Sequence, residues 1–159
     1  MFDESFMTAF TVEESPDTVF AAINDVRGWW GEGVDGSNAR VGDEFEFRVE
    51  GVHCSRIEVV EHVPAERIVW RVLANHMSYV EDQTEWVGTT IRFELRAKDD
   101  GTEIRFAHEG LVPAAECFDV CSSVWGSLMH GSLRSLIATG KGRPYPKALA
   151  ERRELPRVA

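Results

Sequence analysis

From Glu44 to Val49 the chain reads EFEFRV, with Phe45, Phe47 and Val49 at every second position and Glu44, Glu46 and Arg48 between them. A period of two sends alternate side chains to opposite faces of an extended chain, so this segment predicts a strand with one dry and one charged face. The pattern recurs along the sequence. His53, Ser55, Ile57 and Val59 form a second row, and Ile68, Trp70 and Val72 a third that continues through Ala74 and His76. Thr89, Ile91, Phe93 and Leu95 form a fourth, Ile104, Phe106 and His108 a fifth, and the apolar run FMTAFTV from Phe6 to Val12 adds one more strand. Turn signals separate the rows at Val41-Gly42-Asp43, Pro64-Ala65-Glu66 and Asp99-Asp100-Gly101, where Gly is expected to supply the positive φ of a hairpin. Six one-sided strands joined by short turns predict an antiparallel sheet whose dry face needs a cover.

Two stretches change to helical spacing. Ser15, Pro16 and Asp17 make an N-terminal signal of cap, first-turn proline and dipole-facing acid, and Val19, Phe20, Ile23 and Val26 then share one stripe. The segment VRGWWGEGVDGSN follows, and its adjacent Trp29 and Trp30 are expected to diverge, one plugging the core and the other lining a space. From Pro113 a long helix is expected, with Phe118, Cys121, Trp125, Leu128, Ser132 and Leu136 every three or four residues and an end at Gly140 and Gly142 before Pro144. Gly126, Ser127, Gly131 and Ser132 in its interior are expected to leave side-chain volume unfilled beneath this lid.

Length and charge narrow the picture. At 159 residues the chain fits one domain, here placed at residues 1–144 with a basic tail at 145–159. The net charge of −10 disfavours nucleic acid and anionic membranes, although residues 140–159 carry six Lys or Arg against two Glu. No apolar run is long enough to span a bilayer, and the start MFDESFMTAF is acidic where a signal peptide is basic, so cytoplasmic placement is expected. Three cysteines, Cys54, Cys117 and Cys121, have no framework spacing and read as reduced thiols.

The motifs SPDTVFAAI, VRGWW, VGDEFEFRV, ERIVWRV, WVGTTIRFEL, GTEIRFAHEGL and SLRSLIATGKGRP span nearly the whole chain, from Phe6 to Pro144. Together they resemble the START-like, or SRPBCC, superfamily, and most of all the bacterial single-domain relatives of the Aha-type activators of heat-shock-protein ATPase. The resemblance implies an α+β helix-grip fold in the order β-α-α-β-β-β-β-β-α, a curved sheet of about six strands around a long C-terminal helix. It also implies a cavity between the two, in which the superfamily places different chemistries.

The aromatic residues Phe45, Phe47, Trp70, Phe93, Phe106, Phe118 and Trp125 map to inward positions, and with Trp29 and Trp30 they favour a pocket for an apolar or aromatic small molecule. His53, His76, His108 and Glu85 are the polar groups available to it. His108 reads as a satisfied core group, a ligand contact or a base, and His53 as a group that could meet it across the sheet. Cys117 and Cys121 stand one helical turn apart without the further ligands a zinc site needs, so no metal is expected. Gly140-Lys141-Gly142 lacks a phosphate-loop frame and no GxSxG elbow occurs, so neither a cofactor nor a catalytic residue is assigned. The leading expectation is a small-molecule binding domain. A cofactor-independent cyclase or hydrolase using a cavity histidine, and a stress- or chaperone-associated interaction module, are the alternatives. An exposed sheet edge would also allow a homodimer.

Overall fold

Seven antiparallel strands form a single sheet in the computed structural model, which describes residues 4–147. They are β1 (Phe6–Val12), β2 (Val34–Gly36), β3 (Glu44–Val49), β4 (His53–Val63), β5 (Arg67–Met77), β6 (Thr90–Lys98) and β7 (Gly101–Glu109). Their spatial order is β1-β7-β6-β5-β4-β3-β2, so β2 to β7 form a meander and the N-terminal strand closes the far side on β7. Helices α1 (Pro16–Asn24) and α2 (Val26–Trp29) lie between β1 and β2 in the chain. After β7 come α3 (Phe118–Ser127), a π-helical segment (Leu128–Leu133) and α4 (Arg134–Thr139). This is the α+β helix-grip arrangement. The strand beyond the expected six is β2, whose three residues are too few to display a period.

The start of α1 follows its sequence signal: Ser15 Oγ accepts the Thr18 N–H at 3.3 Å, with Pro16 in the first turn. Gly140 ends α4 with φ 82°, the left-handed conformation that glycine adopts without penalty. Several local expectations are corrected. The lid begins at Phe118, not Pro113, and its middle turn widens to a π-helix. Its small residues do not border a void. Ser132 Oγ donates to the Trp29 carbonyl and accepts the Arg143 N–H, both at 2.7 Å, so its small size lets α2 and the C-terminal segment approach. Gly126 faces open space. In the β6–β7 hairpin the positive φ, 54°, belongs to Asp99, whereas Gly101 is required because a side chain there would collide with the Val12 carbonyl.

The third row changes phase. The register of β4 against β5 slips between Arg56 and Ile57, leaving Leu73 as an extra residue in β5. A β-bulge of this kind inverts the alternation beyond it. Ala74 and His76, expected inside, are exposed, and Asn75 and Met77 are buried instead.

The core between sheet and helices is built from aromatic rings. Trp30 stacks on Phe47 (centroids 4.3 Å apart), on Trp29 (5.9 Å) and on Trp70 (6.0 Å). Trp29 and Trp30 are both buried with their planes 14° apart, and of the two only Trp30 reaches the cavity described below. Phe93 meets Trp29, Trp70 and Phe106 edge to face. Full burial of such a side chain contributes about 1.5–3 kcal/mol, so this cluster is a large share of the hydrophobic driving force.

Candidate functional site

A cavity opens between the β3–β4 end of the sheet and α3. Trp30, Phe47, Val49, Val52 and His53 line it from α2 and the sheet, and Cys121, Val124, Trp125 and Leu128 from the lid. The loop 78–89 contributes Tyr79 and Trp86, and Tyr145 closes the remaining side. Room for the centres of water-sized molecules is about 40 Å³. One water needs roughly 10–15 Å³ by the same measure, whereas pockets for drug-sized ligands run from about 300 Å³. The space is real but compact, because the aromatic stack fills most of the interior expected to be open.

Tyr145 reaches the cavity through a parallel bridge to Gly31 and is buried. It lies in the expected tail, of which the described residues continue to Lys147; residues 148–159 lie outside them.

One polar group of the wall is His53. Its Nε2 lies 2.7 Å from Ser55 Oγ, which also accepts from Asn75 Nδ2 at 3.1 Å. Asn75 Oδ1 in turn accepts the backbone N–H of Trp86 at 3.1 Å. Asn75 thus ties strand β4 to the loop that closes the cavity, an arrangement produced by the bulge at Leu73. Burial, with a smaller contribution from the charge of His76, lowers the His53 pKa to about 3.

His108 sits one layer back. It does not line the cavity but packs edge-on against two residues that do, Trp86 (4.7 Å) and Trp125 (5.9 Å). The Trp125 indole N–H donates to Nδ1 at 3.0 Å, and Nε2 lies 2.8 Å from Thr89 Oγ1. Since indole only donates, Nδ1 must accept and Nε2 carries the proton. Thr89 then passes its own hydroxyl proton to the Trp86 carbonyl at 2.6 Å. Burial first, then the neighbouring His53, lowers the His108 pKa to about 3. Both nitrogens are occupied, so the ring has no free lone pair for proton abstraction. The two histidines do not meet; each packs at 4.7 Å against the Trp86 ring between them.

The lid side carries thiols and donors. Tyr79 Oη lies 4.0 Å from Cys121 Sγ, and burial, reinforced by Cys121, holds the phenol well above its usual pKa range. Cys117, one turn before Cys121, is pushed up by its hydrogen bond to Cys121 and by burial, while that bond draws Cys121 down against its own burial. The Trp86 indole N–H faces these sulfurs, both weak acceptors, and finds no oxygen or nitrogen acceptor. Among the described residues, no group of three His, Cys, Asp or Glu is placed to hold a metal ion.

Residues 13–138 match the family model described as activator of Hsp90 ATPase homolog 1-like protein. The chain belongs to this family. Among solved structures, the Aha1 dimer from Colwellia psychrerythraea is 22% identical, with 87% of this chain and 98% of that one aligned at a TM-score of 0.70. DynU16, a putative protein in the dynemicin biosynthetic locus, is 17% identical, covering 88% of this chain and 49% of its own, at 0.65. CalU16 from Micromonospora echinospora is 16% identical, covering 86% and 77%, at 0.60. At these identities the likeness is one of fold. No curated protein matches the chain. No helix of the described residues is long and apolar enough to cross a membrane.

In this Hsp90-activator-like domain, four of the residues expected at the pocket, Trp30, Phe47, His53 and Trp125, line the cavity. Trp29, Phe45, Trp70, Phe93, Phe106 and His108 are buried elsewhere in the core, and Phe118 packs at its edge without reaching the space. Trp29 is held away by its Nε1–H, which donates to the Ile23 carbonyl at 3.0 Å. His76 faces solvent because of the bulge. Glu85 is spent elsewhere, accepting the Glu116 and Cys117 backbone N–H groups at 2.6 and 2.9 Å at the start of α3. Sequence reasoning missed Val49, Val52, Tyr79, Trp86, Cys121, Val124, Leu128 and Tyr145 as wall residues; Val49 on its strand row and Cys121 and Leu128 on the lid stripe carried a usable signal.

Proposed function

We propose that this domain binds a compact apolar molecule of about one ring in the cavity between sheet and lid. The observation that carries the reading is the aromatic-walled space itself, in which Trp30, Phe47, Trp86 and Trp125 surround an unfilled volume of about 40 Å³ with His53 as a polar neighbour. Aromatic walls with few polar groups are the usual make-up of a small-molecule site. The likeness by fold to a putative protein in the dynemicin biosynthetic locus leaves the ligand class open. A cavity that admits a benzene-sized ring measures roughly 150 Å³, so entry of even one ring requires the loop 78–89 to move.

Titration with toluene, α-methylstyrene and acetophenone tests this. Binding to the native state alone raises the melting temperature by mass action and changes tryptophan emission, since three of the five tryptophans line the space. Absence of both effects with all three probes would overturn the reading. Catalysis by a cavity histidine is the weaker alternative, because burial lowers the pKa of His53 on the wall to about 3, which makes it a poor base at neutral pH, and His108 lies behind the wall with both nitrogens engaged.

We also propose that two copies associate through β1. This strand pairs only with β7 among the described residues, it carries Met7 at 64% exposure, and a relative of the same fold is described as a dimer. Sedimentation at rising concentration checks it; a monomer throughout, or a dimer unchanged by Met7→Lys, would refute it.

A further inference from the structure

Trp86 is buried to all but 5% of its surface and lines the cavity, yet its Nε1–H meets no oxygen or nitrogen acceptor, only the sulfurs of Cys117 and Cys121. Two other tryptophans in this core solve the same problem internally, Trp29 through the Ile23 carbonyl and Trp125 through His108, whereas Trp70, away from the cavity, shares the unpaired Nε1–H. A buried donor without a partner is unfavourable and uncommon in folded proteins. Its surroundings offer only sulfur, a weak acceptor, from Cys117 and Cys121. A second donor adjoins it: Tyr79 Oη lies beside Cys121 Sγ, 4.0 Å away, and the phenol stays protonated. One wall of an otherwise apolar space is therefore short of acceptors.

Resting on the cavity reading above, we infer that the site recognises a neutral carbonyl-bearing ring compound whose oxygen accepts from Trp86 Nε1–H, with Tyr79 Oη as the second donor. The class is that of a ketone, quinone or ester. A carboxylate or phosphate is disfavoured because no Lys or Arg among the described residues lines the space. A plain hydrocarbon would fill the volume and leave the indole unpaired.

Acetophenone and α-methylstyrene have nearly the same shape and differ in C=O against C=CH₂. The ketone is better hydrated in water, so a site without donors takes the hydrocarbon more tightly. Calorimetric titration of the wild type is expected to give acetophenone at least equal affinity, and Trp86→Phe to shift the ratio by about tenfold toward the hydrocarbon while leaving α-methylstyrene binding nearly unchanged. Tyr79→Phe is expected to move the ratio in the same direction by less. On the wild-type protein, the Trp86 Nε1–H resonance should move downfield with acetophenone and not with α-methylstyrene, which keeps the test decisive should the Trp86 variant fail to fold. If both probes bind, the hydrocarbon is preferred and the indole resonance does not respond to the ketone, the carbonyl assignment is wrong and the cavity reading survives. If neither binds, both fall.

Discussion

Trp125 on the lid helix and His108 on the last strand are joined by an indole N–H that donates to Nδ1 at 3.0 Å, with both residues almost wholly buried. This one bond fixes the histidine tautomer and clamps the lid to the sheet. Trp125→Phe keeps the ring and removes the donor, leaving Nδ1 unpaired in the core. The loss is expected to cost about 1–3 kcal/mol of folding stability, the usual range for an orphaned buried polar atom, measured by urea denaturation. A cost below about 0.5 kcal/mol would mean that the bond contributes little to clamping the helix.

Two buried imidazoles give the fold a characteristic acid response. His53 and His108 have folded pKa values of about 3, against 6.5 as the unperturbed value. Above pH 6.5 both are neutral in either state, and their contribution is fully present. Below it the unfolded chain takes up protons that the folded chain refuses, so stability falls as the pH drops toward 3. The expected slope is roughly 1 kcal/mol per pH unit for each histidine once well below pH 6.5. Chemical melts between pH 7 and 5, above the range of ordinary carboxylates, isolate it. His108→Gln should flatten the slope by about half, and an unchanged slope would place the acid response elsewhere.

Most of the fold was legible because one-sided rows carry their own geometry. Phe45, Phe47 and Val49 needed no tertiary information to be placed on one face, and Ser15-Pro16 marks a helix start by local chemistry alone. The site was less legible. A bulge has no reliable single-sequence signal, so His76 was placed inside and Asn75 overlooked, though the error is one residue in phase. Trp86 sits in a polar stretch without a period, and contacts distant in sequence fix it over the cavity: its backbone N–H donates to Asn75 and its ring packs on His53, His108 and Trp125. Tyr145 follows the helix stop, and its inward position depends on a bridge to Gly31, distant in sequence.

The bulge makes Asn75 a structural hinge for the cavity, since its amide connects Ser55 of β4 to the Trp86 backbone. Asn75→Ala removes both bonds at once. A stability loss of about 1–3 kcal/mol is expected, together with weaker ordering of the loop 78–89 seen as faster amide exchange at Trp86. Asn75→Asp retains the acceptor for Trp86 and loses the donor to Ser55, so it should restore the exchange protection without restoring full stability. Equal exchange rates in both variants would show that the loop is held by other contacts.

The compact cavity offers a direct exchange between stability and binding. Val124 on α3 lines it and is partly buried. Val124→Leu adds one methylene, worth about 0.8 kcal/mol where it fills a void without strain, or about 2–4 °C in melting temperature for a chain of this size. The same methylene occupies space the ligand would use, so binding of α-methylstyrene should weaken at least tenfold. A variant that is stabilised and still binds with full affinity would place the ligand outside this space.

A pair of carboxylates holds the loop 78–89 against the start of the lid. Glu85 of the loop accepts the Glu116 and Cys117 N–H groups at 2.6 and 2.9 Å, and Glu116 of the lid segment accepts the Glu81 and Asp82 N–H groups at 2.8 and 2.9 Å. The contacts are reciprocal and charge-assisted. The backbone N–H of Asp82, then that of Glu81, holds the Glu116 carboxyl below its usual range. Its hold is therefore complete above the ordinary carboxylate pKa of 4.5 and is lost as the pH falls through the lowered value. Beneath the clasp lie the buried thiols Cys117 and Cys121, whereas Cys54 is partly exposed on β4 and serves as an internal control. In Glu85→Ala and Glu116→Ala, alkylation of Cys117 and Cys121 at pH 7.5 is expected to accelerate about tenfold, with Cys54 unaffected. Glu85→Gln, which keeps an acceptor oxygen but not the charge, should fall between. If all three thiols accelerate together, the variants have loosened the whole fold rather than the loop, and the carboxylates are not its latch.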